Sequence, residues 1–221
     1  MGFDWEFVVS VMPIYGAAIL LTIKIAVLGT LLSLLVGAVC SLLLYYRVKV
    51  AGSLVKGYIE LSRNTPLVIQ LFFLYYGLPK LGIMLPNEVC AIFGLTFLGG
   101  GYMAESFRSG LDAVSSVQLD LGLSIGLNTF QMIRFVVFPQ ALSVAMPSLG
   151  ANCVFLIKET SVVSIIALRD LMSVTKELIG MYYNTVESLL LLVVCYLLIL
   201  LPVSFLLIFL ERRFRYAEFG V

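Results

Sequence analysis

QLDLGLSIGLNTFQMIRFVVFPQAL, residues 118–142, lies between two long apolar runs, and the reading of the whole chain turns on it. Asp120, Asn128, Gln131 and Arg134 fall close together in it. No lipid-facing helix accepts that density of polar groups, because hydrocarbon offers them no partners. The segment therefore lies outside the bilayer. Leu119, Leu123, Leu127 and Phe130 recur at three- and four-residue steps, which predicts a short amphipathic helix with Gly122 and Gly126 beside its apolar stripe. Pattern alone leaves open whether that stripe meets lipid or protein.

The flanks establish what surrounds it. Hydrophobic residues make up 61% of the chain and charged residues 12%, with a mean hydropathy of +1.08. A soluble domain carries about a quarter charged residues, so this is an integral membrane protein. Its 221 residues hold about five or six spans of roughly twenty residues with short connections, and no separate soluble domain. Residues 1–221 are thus expected to form one transmembrane domain.

Several function classes drop out. A net charge of +1 with no long basic run argues against nucleic acid. The chain has no histidine, which removes Ser-His-Asp, Cys-His and HExxH chemistry, and Cys40, Cys90, Cys153 and Cys195 stand singly as apolar packing residues. No GxxxxGK[ST] loop is present, so any ATP and its magnesium belong to a partner chain. Asp4 and Glu6 stand where a cleavable signal has basic residues, so the amino terminus is expected to stay on the mature protein.

In chain order, residues 1–12 read as a short amphipathic segment, and the first span runs from about Ile14 to Tyr46, with Lys24 as a snorkelling anchor. Arg47, Lys49, Lys56 and Arg63 gather before the second span, about Asn64 to Pro79, and place that loop in the cytoplasm. The third span runs from about Val89 to Ala104, and residues 113–134 then form a cytoplasmic loop. The fourth, about Phe135 to Ile157, is expected to be kinked by Pro139 and Pro147, with Pro139 starting it. The stretch from Lys158 to Glu187 belongs at the outer side, and the last span is Ser188 to Leu210. The prediction is an all-α protein of about five transmembrane helices, amino terminus outside and carboxyl terminus cytoplasmic.

Four blocks carry a resemblance. Asp120, Gly126, Val136 and Pro139 are spaced like the signature loop of ABC importer permeases, Glu-Ala-Ala, three residues, Gly, nine residues, Ile, two residues, Pro, with Asp120-Leu121-Gly122 in place of Glu-Ala-Ala. SRNTPLVIQ, residues 62–70, is similar to the Arg-Gly-Thr-Pro-Leu-Leu-Val-Gln stretch of polar-amino-acid permeases, with Asn64 for Gly. GYMAESFRSGLDAV, residues 101–114, and LIKETSVVSII, residues 156–166, resemble two further blocks of that branch in the same order.

The resemblance implies a type I-like fold with a coupling helix between spans three and four, in the bacterial inner membrane. It implies a transmembrane subunit that carries a polar or charged amino acid, or cystine, and binds no cofactor itself. Two ATPase subunits, a second permease chain, identical or homologous, and an extracytoplasmic amino-acid-binding protein would be its partners, besides membrane lipid. Gln118, Asp120, Gly122, Gly126, Arg134 and Pro139 would form the ATPase-coupling segment.

For the translocation path, the ionisable and amide groups Glu105, Arg108, Asn152 and Glu159 are expected to face the bundle interior, with Arg63, Asn64, Thr65 and Gln70 as further candidates; the rival reading pairs Glu105 and Arg108 with Arg63 and Glu60 only to fix helix register. Thr160 and Ser161 either offer hydroxyls to a ligand or cap the segment after Glu159. Two other classes stay open: a self-contained channel or ion-coupled carrier using Glu105 and Glu159, and a scaffold that recruits a soluble partner and moves nothing. No second copy of the 118–142 pattern is found, which favours half a transporter over a self-sufficient carrier.

Overall fold

A computed structural model describes residues 3–219, all of whose regular elements are helical. The Asp4 carboxylate caps the first helix, α1 (Trp5–Tyr45), by accepting from the Phe7 amide at 2.9 Å. The helix then continues through Pro13 for 41 residues. At 1.5 Å per residue that is about 60 Å, twice the hydrocarbon thickness. Of the separate segment expected at residues 1–12, residues 5–12 are therefore the first turns of the same helix, since nothing stronger than one proline interrupts the apolar run, and residues 1 and 2 lie outside the described residues.

After Tyr46 the chain reverses at Arg47 (φ +51) into α2 (Lys49–Asn64). Thr65, held extended by the proline behind it, ends α2. A short apolar stretch follows: α3 (Leu67–Phe72), a π turn (Phe73–Gly77) and a 3-10 turn (Leu78–Leu81). The expected second span is thus only Leu67–Leu81, cut from α2 at Pro66. The remaining elements are α4 (Asn87–Asp112), α5 (Ser116–Ser124), α6 (Thr129–Met132), α7 (Phe138–Glu159), α8 (Leu171–Tyr182) and α9 (Thr185–Phe219). Four stretches are long and apolar enough to cross a membrane: Trp5–Tyr45, Asn87–Asp112, Thr129–Ile166 and Thr185–Phe214.

The third and fourth of these differ from expectation in detail. Pro139 does not begin its span. The helical stretch starts ten residues earlier at Thr129, runs through a π turn (Ile133–Val137), and meets Pro139 in the first turn of α7. The same construction precedes Pro79, and in both places the residue before the proline donates five residues back, Leu78 N to Phe73 O and Phe138 N to Ile133 O. The wider turn accommodates the missing amide and the ring that would otherwise press on the carbonyl four residues before it. Pro147, expected to break the span, lies within continuous α7.

The bundle is built around α4. Its apolar window is 61% buried against 11% for α9, which makes α4 the axis and leaves α9 largely to lipid. Small residues let the helices approach. Gly29, Ser33 and Gly37 of α1 lie against Leu95, Gly99 and Met103 of α4, and the Ser33 hydroxyl donates to Gly29 O at 2.7 Å and Leu95 O at 3.2 Å. A Cβ on Gly99, Gly100 or Gly101 would strike Ser33, Tyr58 or Ser62 respectively. Three successive residues of α4 thus seat one neighbour each, with Leu156 of α7 also pressed on Gly99. The main core follows: Ile25, Leu71, Leu95, Met103, Leu156 and Ile166.

A second apolar cluster joins the first half of α1 to α8 and α9 through Tyr15, Ala18, Leu171, Val174 and Cys195. The Tyr15 hydroxyl shares a 3.0 Å hydrogen bond with the Thr175 hydroxyl and donates to Ser188 O at 3.1 Å. Asp170, fully buried, caps α8 by accepting from the Met172 and Ser173 amides. Burial pushes its carboxyl up to about 6, against the lowering effect of those amides and of Lys176. Lys24 is not free to snorkel alone, because its ammonium lies 2.6 Å from the Glu88 carboxylate at the start of α4.

Candidate functional site

Two regions gather the residues singled out in the sequence. The first is the elbow beyond α4. Ser115 caps α5, accepting from the Val117 amide at 3.3 Å. The helix ends at Gly126, whose φ of +84 suits glycine and strains any other residue. Gly126 N donates to Leu123 O and Leu127 N to Gly122 O, both at 3.0 Å, which closes the carboxyl end in a Schellman motif. Asn128 then opens α6 with a capping box: its side chain accepts from Gln131 N and the Gln131 side chain accepts from Asn128 N, each at 2.9 Å.

The elbow therefore consists of two short helices set back to back, and the single amphipathic stripe expected over residues 119–130 does not exist. Leu119 and Leu127 are half-buried, but Leu123 and Phe130, on opposite sides of the turn, are 62% and 71% exposed. Val117, Leu121 and Ile125 are exposed as well. Large apolar side chains exposed around a turn between spans are the mark of a contact surface. Gly122 is buried because Met132 folds over it and leaves no room for a Cβ. Gln118, Asp120, Arg134 and Pro139 are exposed, with the Arg134 guanidinium 5.8 Å from the centre of the Phe135 ring.

The second region is a cavity of about 350 Å³ where the Pro66 break meets α4 and α7. Arg63, Asn64, Thr65 and Glu159 line it, with Tyr102 and Phe155 as aromatic walls. The Arg63 guanidinium lies 5.4 Å from the centre of the Tyr102 ring and 3.4 Å from Glu105, which also meets Arg108 at 3.5 Å. Glu60, a possible member of that ion network by sequence, instead accepts from Asn64. Glu159 has no cation within 4 Å among the described residues. A cationic fork and a carboxylate that line one cavity together with aromatic rings can hold a small zwitterion.

The other path residues lie elsewhere. Gln70 reaches back across the proline break, its amide donating to Ser62 O, Thr65 O and the Thr65 hydroxyl at 3.0–3.1 Å, so it supplies partners for the open end of α2. Asn152 ties α7 to α4 through Ser106 at 2.9 Å. Thr160 is buried with its hydroxyl on Ile157 O at 2.7 Å and starts a 3-10 turn (Thr160–Ile166) in which Ser161 follows it. Arg108 turns towards Asp112 at the end of α4. Sequence reasoning missed Tyr102 and Phe155, whose only signal was aromatic placement three residues before Glu105 and four before Glu159.

A family model described as "Binding-protein-dependent transport system inner membrane component" matches residues 29–216. The chain is 35% identical over 161 residues to a probable amino-acid permease protein, YxeN, of Bacillus subtilis, covering 72% of each chain. It is 30% identical over 217 residues to the glutamine transport system permease protein GlnP of Escherichia coli, covering 97% of this chain and 99% of that one. Among solved structures, a chain of an amino acid ABC transporter with histidines superposes with a TM-score of 0.87 at 29% identity, over 96% of this chain and 100% of the other. The MetNI methionine ABC transporter shares the fold, with a TM-score of 0.74 at 16% identity, over 93% and 98%.

Proposed function

Because the chain belongs to the family of binding-protein-dependent transport system inner membrane components, we propose that it forms one half of the membrane path of an ATP-driven amino-acid importer, coupled by its α5–α6 elbow to a separate ATPase. It is a membrane subunit and not itself an enzyme. The elbow carries this reading: it presents exposed Val117, Leu121, Leu123, Ile125 and Phe130 on a capped turn beside exposed Gln118, Asp120 and Arg134, a mixed apolar and polar surface that suits a protein partner.

In this reading Leu67–Leu81 joins the four longer stretches as a fifth crossing, with the amino terminus outside and the carboxyl terminus and residues 113–134 in the cytoplasm. Two ATPase subunits bind the elbows of two permease chains, identical or homologous, and an extracytoplasmic binding protein delivers the ligand. ATP and magnesium reside on the ATPase. Gln118, Asp120 and Arg134 border the contact, while Gly122, Gly126 and Pro139 fix its shape. Closure of the ATPases pushes the elbow, and the π turn before Pro139 passes the shift to α7, whose Glu159 borders the cavity. Arg63 receives the ligand's carboxylate and Glu159 its ammonium as the amino acid passes. The carrier alternative gains no support from the relatives, which are permease proteins of amino-acid transport systems.

Co-expression with the ATPase tests this. In mild detergent the wild type retains the ATPase, and a variant with Asp120→Lys and Gly126→Trp, correctly inserted, loses it. Uptake by proteoliposomes that contain this chain without ATPase or ATP refutes the proposal in favour of a carrier.

A further inference from the structure

A second cavity, about 390 Å³ in volume, opens where the ends of α1 and α4 meet the start of α2. Four cations line it, Arg47, Lys49, Lys56 and Arg108, against one carboxylate, Asp112. Arg108 is shared with Glu105 and Asp112, but among the described residues no carboxylate lies within 4 Å of Arg47, Lys49 or Lys56. Like charges converging on one concavity without partners repel, and an anion relieves that repulsion. The cavity is moreover fixed by backbone: Arg47 is held at φ +51, a conformation that non-glycine residues seldom adopt. No side chain caps the start of α2, and Val48 and Lys49 at that start line the same mouth.

The surroundings identify the anion's class. Half-buried Leu44 and Tyr45 give the cavity an apolar wall. On α2, Val50 and Leu54 are 78% and 72% exposed beside Lys49 and Lys56. A phosphate with no hydrocarbon attached would leave these apolar residues uncovered, whereas a phosphodiester on a lipid covers them with its chains. We propose that the cavity between α1, α2 and α4 is a binding site for the phosphate headgroup of an anionic phospholipid of the cytoplasmic leaflet. The inference rests on the cytoplasmic placement of residues 113–134, because α4 ends at both the elbow and this cavity. Cations seated around a lipid phosphate would anchor the α1–α2 corner at a fixed depth beside the moving elbow.

The test uses the permease purified with its ATPase, equilibrated with vesicles of phosphatidylglycerol and phosphatidylcholine and then read by native mass spectrometry in neutral detergent. The wild type retains phosphatidylglycerol in preference to phosphatidylcholine. Lys49→Gln with Lys56→Gln weakens retention by roughly fivefold for each cation removed, on the order of 25-fold together, while Lys49→Arg with Lys56→Arg restores it. Removing two cations elsewhere, Arg212→Gln with Arg213→Gln, leaves retention unchanged. An equal loss in that control means diffuse surface attraction and overturns the site. So does tight binding of inorganic phosphate to the lipid-free complex, or loss of ATPase instead of lipid from the Lys49→Gln, Lys56→Gln variant. ATPase retention is scored in the same samples: lipid lost with ATPase bound by the wild type sinks the lipid site alone, and lipid retained with no ATPase sinks the coupling reading alone.

Discussion

Gly126 offers the sharpest test of the elbow, because the structure separates its backbone role from its steric one. Its φ is +84, and a Cβ built there meets no heavy atom within 4 Å. Alanine and tryptophan should therefore be equally acceptable to the permease alone on grounds of space, and equally strained in backbone. A left-handed conformation costs an L-residue about 1–2 kcal/mol. The elbow must bear this each time it presents its docking shape, so the apparent affinity for the ATPase falls roughly 5- to 30-fold in Gly126→Ala. Asparagine tolerates the left-handed region better than alanine, so Gly126→Asn recovers most of the loss. Tryptophan adds bulk where the ATPase would sit, and Gly126→Trp should abolish association while melting at the same temperature as Gly126→Ala in the isolated permease. Titrating labelled ATPase onto permease in nanodiscs gives the affinities, and thermal unfolding gives the control. If all three variants bind like the wild type, or if alanine and tryptophan are indistinguishable in the complex, Gly126 does not shape a docking surface.

Three other expectations follow from the geometry. Gly101→Val places a side chain on Ser62 and Arg63 and should cost about 1–3 kcal/mol by overpacking, whereas Gly16→Ala in α1, with nothing within 4 Å, should gain up to about 1 kcal/mol from helix propensity; melting of the two variants in detergent compares them. Asp170 has a folded-state pKa of about 6, above its ordinary 3.8, so the native state holds the proton more tightly and stability falls as pH rises from about 4 to 6. The gap corresponds to about 3 kcal/mol at about 1.4 kcal/mol per pH unit, and Asp170→Asn, which keeps the cap, should flatten the dependence in amide exchange of α8. Arg63→Gln should raise the apparent KM for ATP-driven uptake by roughly tenfold or more with the ATPase still bound, since it removes a charged partner from the cavity without touching the elbow; an unchanged KM removes Arg63 from the path.

The amount legible in the sequence differs from element to element. Hydropathy was enough for the long stretches of α1, α4 and α9, because in lipid every backbone group must be paired within the segment and only long apolar helices manage it. It failed at residues 49–81, where a single expected loop and span divide into α2 and a short apolar stretch. The signal for that division was Thr65-Pro66, and reading it required asking where the last carbonyls of α2 find donors. The partner is Gln70, a contact across the break that no periodicity reveals. In the elbow, Gly126 was readable as a turn, but the stripe through Leu119, Leu123, Leu127 and Phe130 assumed one helix across it. Asn128-Thr129-Phe130-Gln131 is a capping-box sequence and announces the second helix. The cavity was half legible: charge drew attention to Arg63 and Glu159, while Tyr102 and Phe155 became visible only when α4 and α7 were packed side by side.

Residues 99–101 have a consequence for how such a molecule can change shape. Successive helix positions point about 100° apart, so Gly99, Gly100 and Gly101 receive Ser33, Tyr58 and Ser62 from three directions at one level of α4. A helix gripped on one side can roll; one gripped at three bearings can neither spin nor slide without driving a neighbour into its own backbone. Helix α4 with the inner halves of α1 and α2 is accordingly one locked unit, and α7 is held to the same axis by Leu156 on Gly99, by Ala141 on Gly110, and by Asn152, whose amide donates to both Ser106 and Tyr102 O.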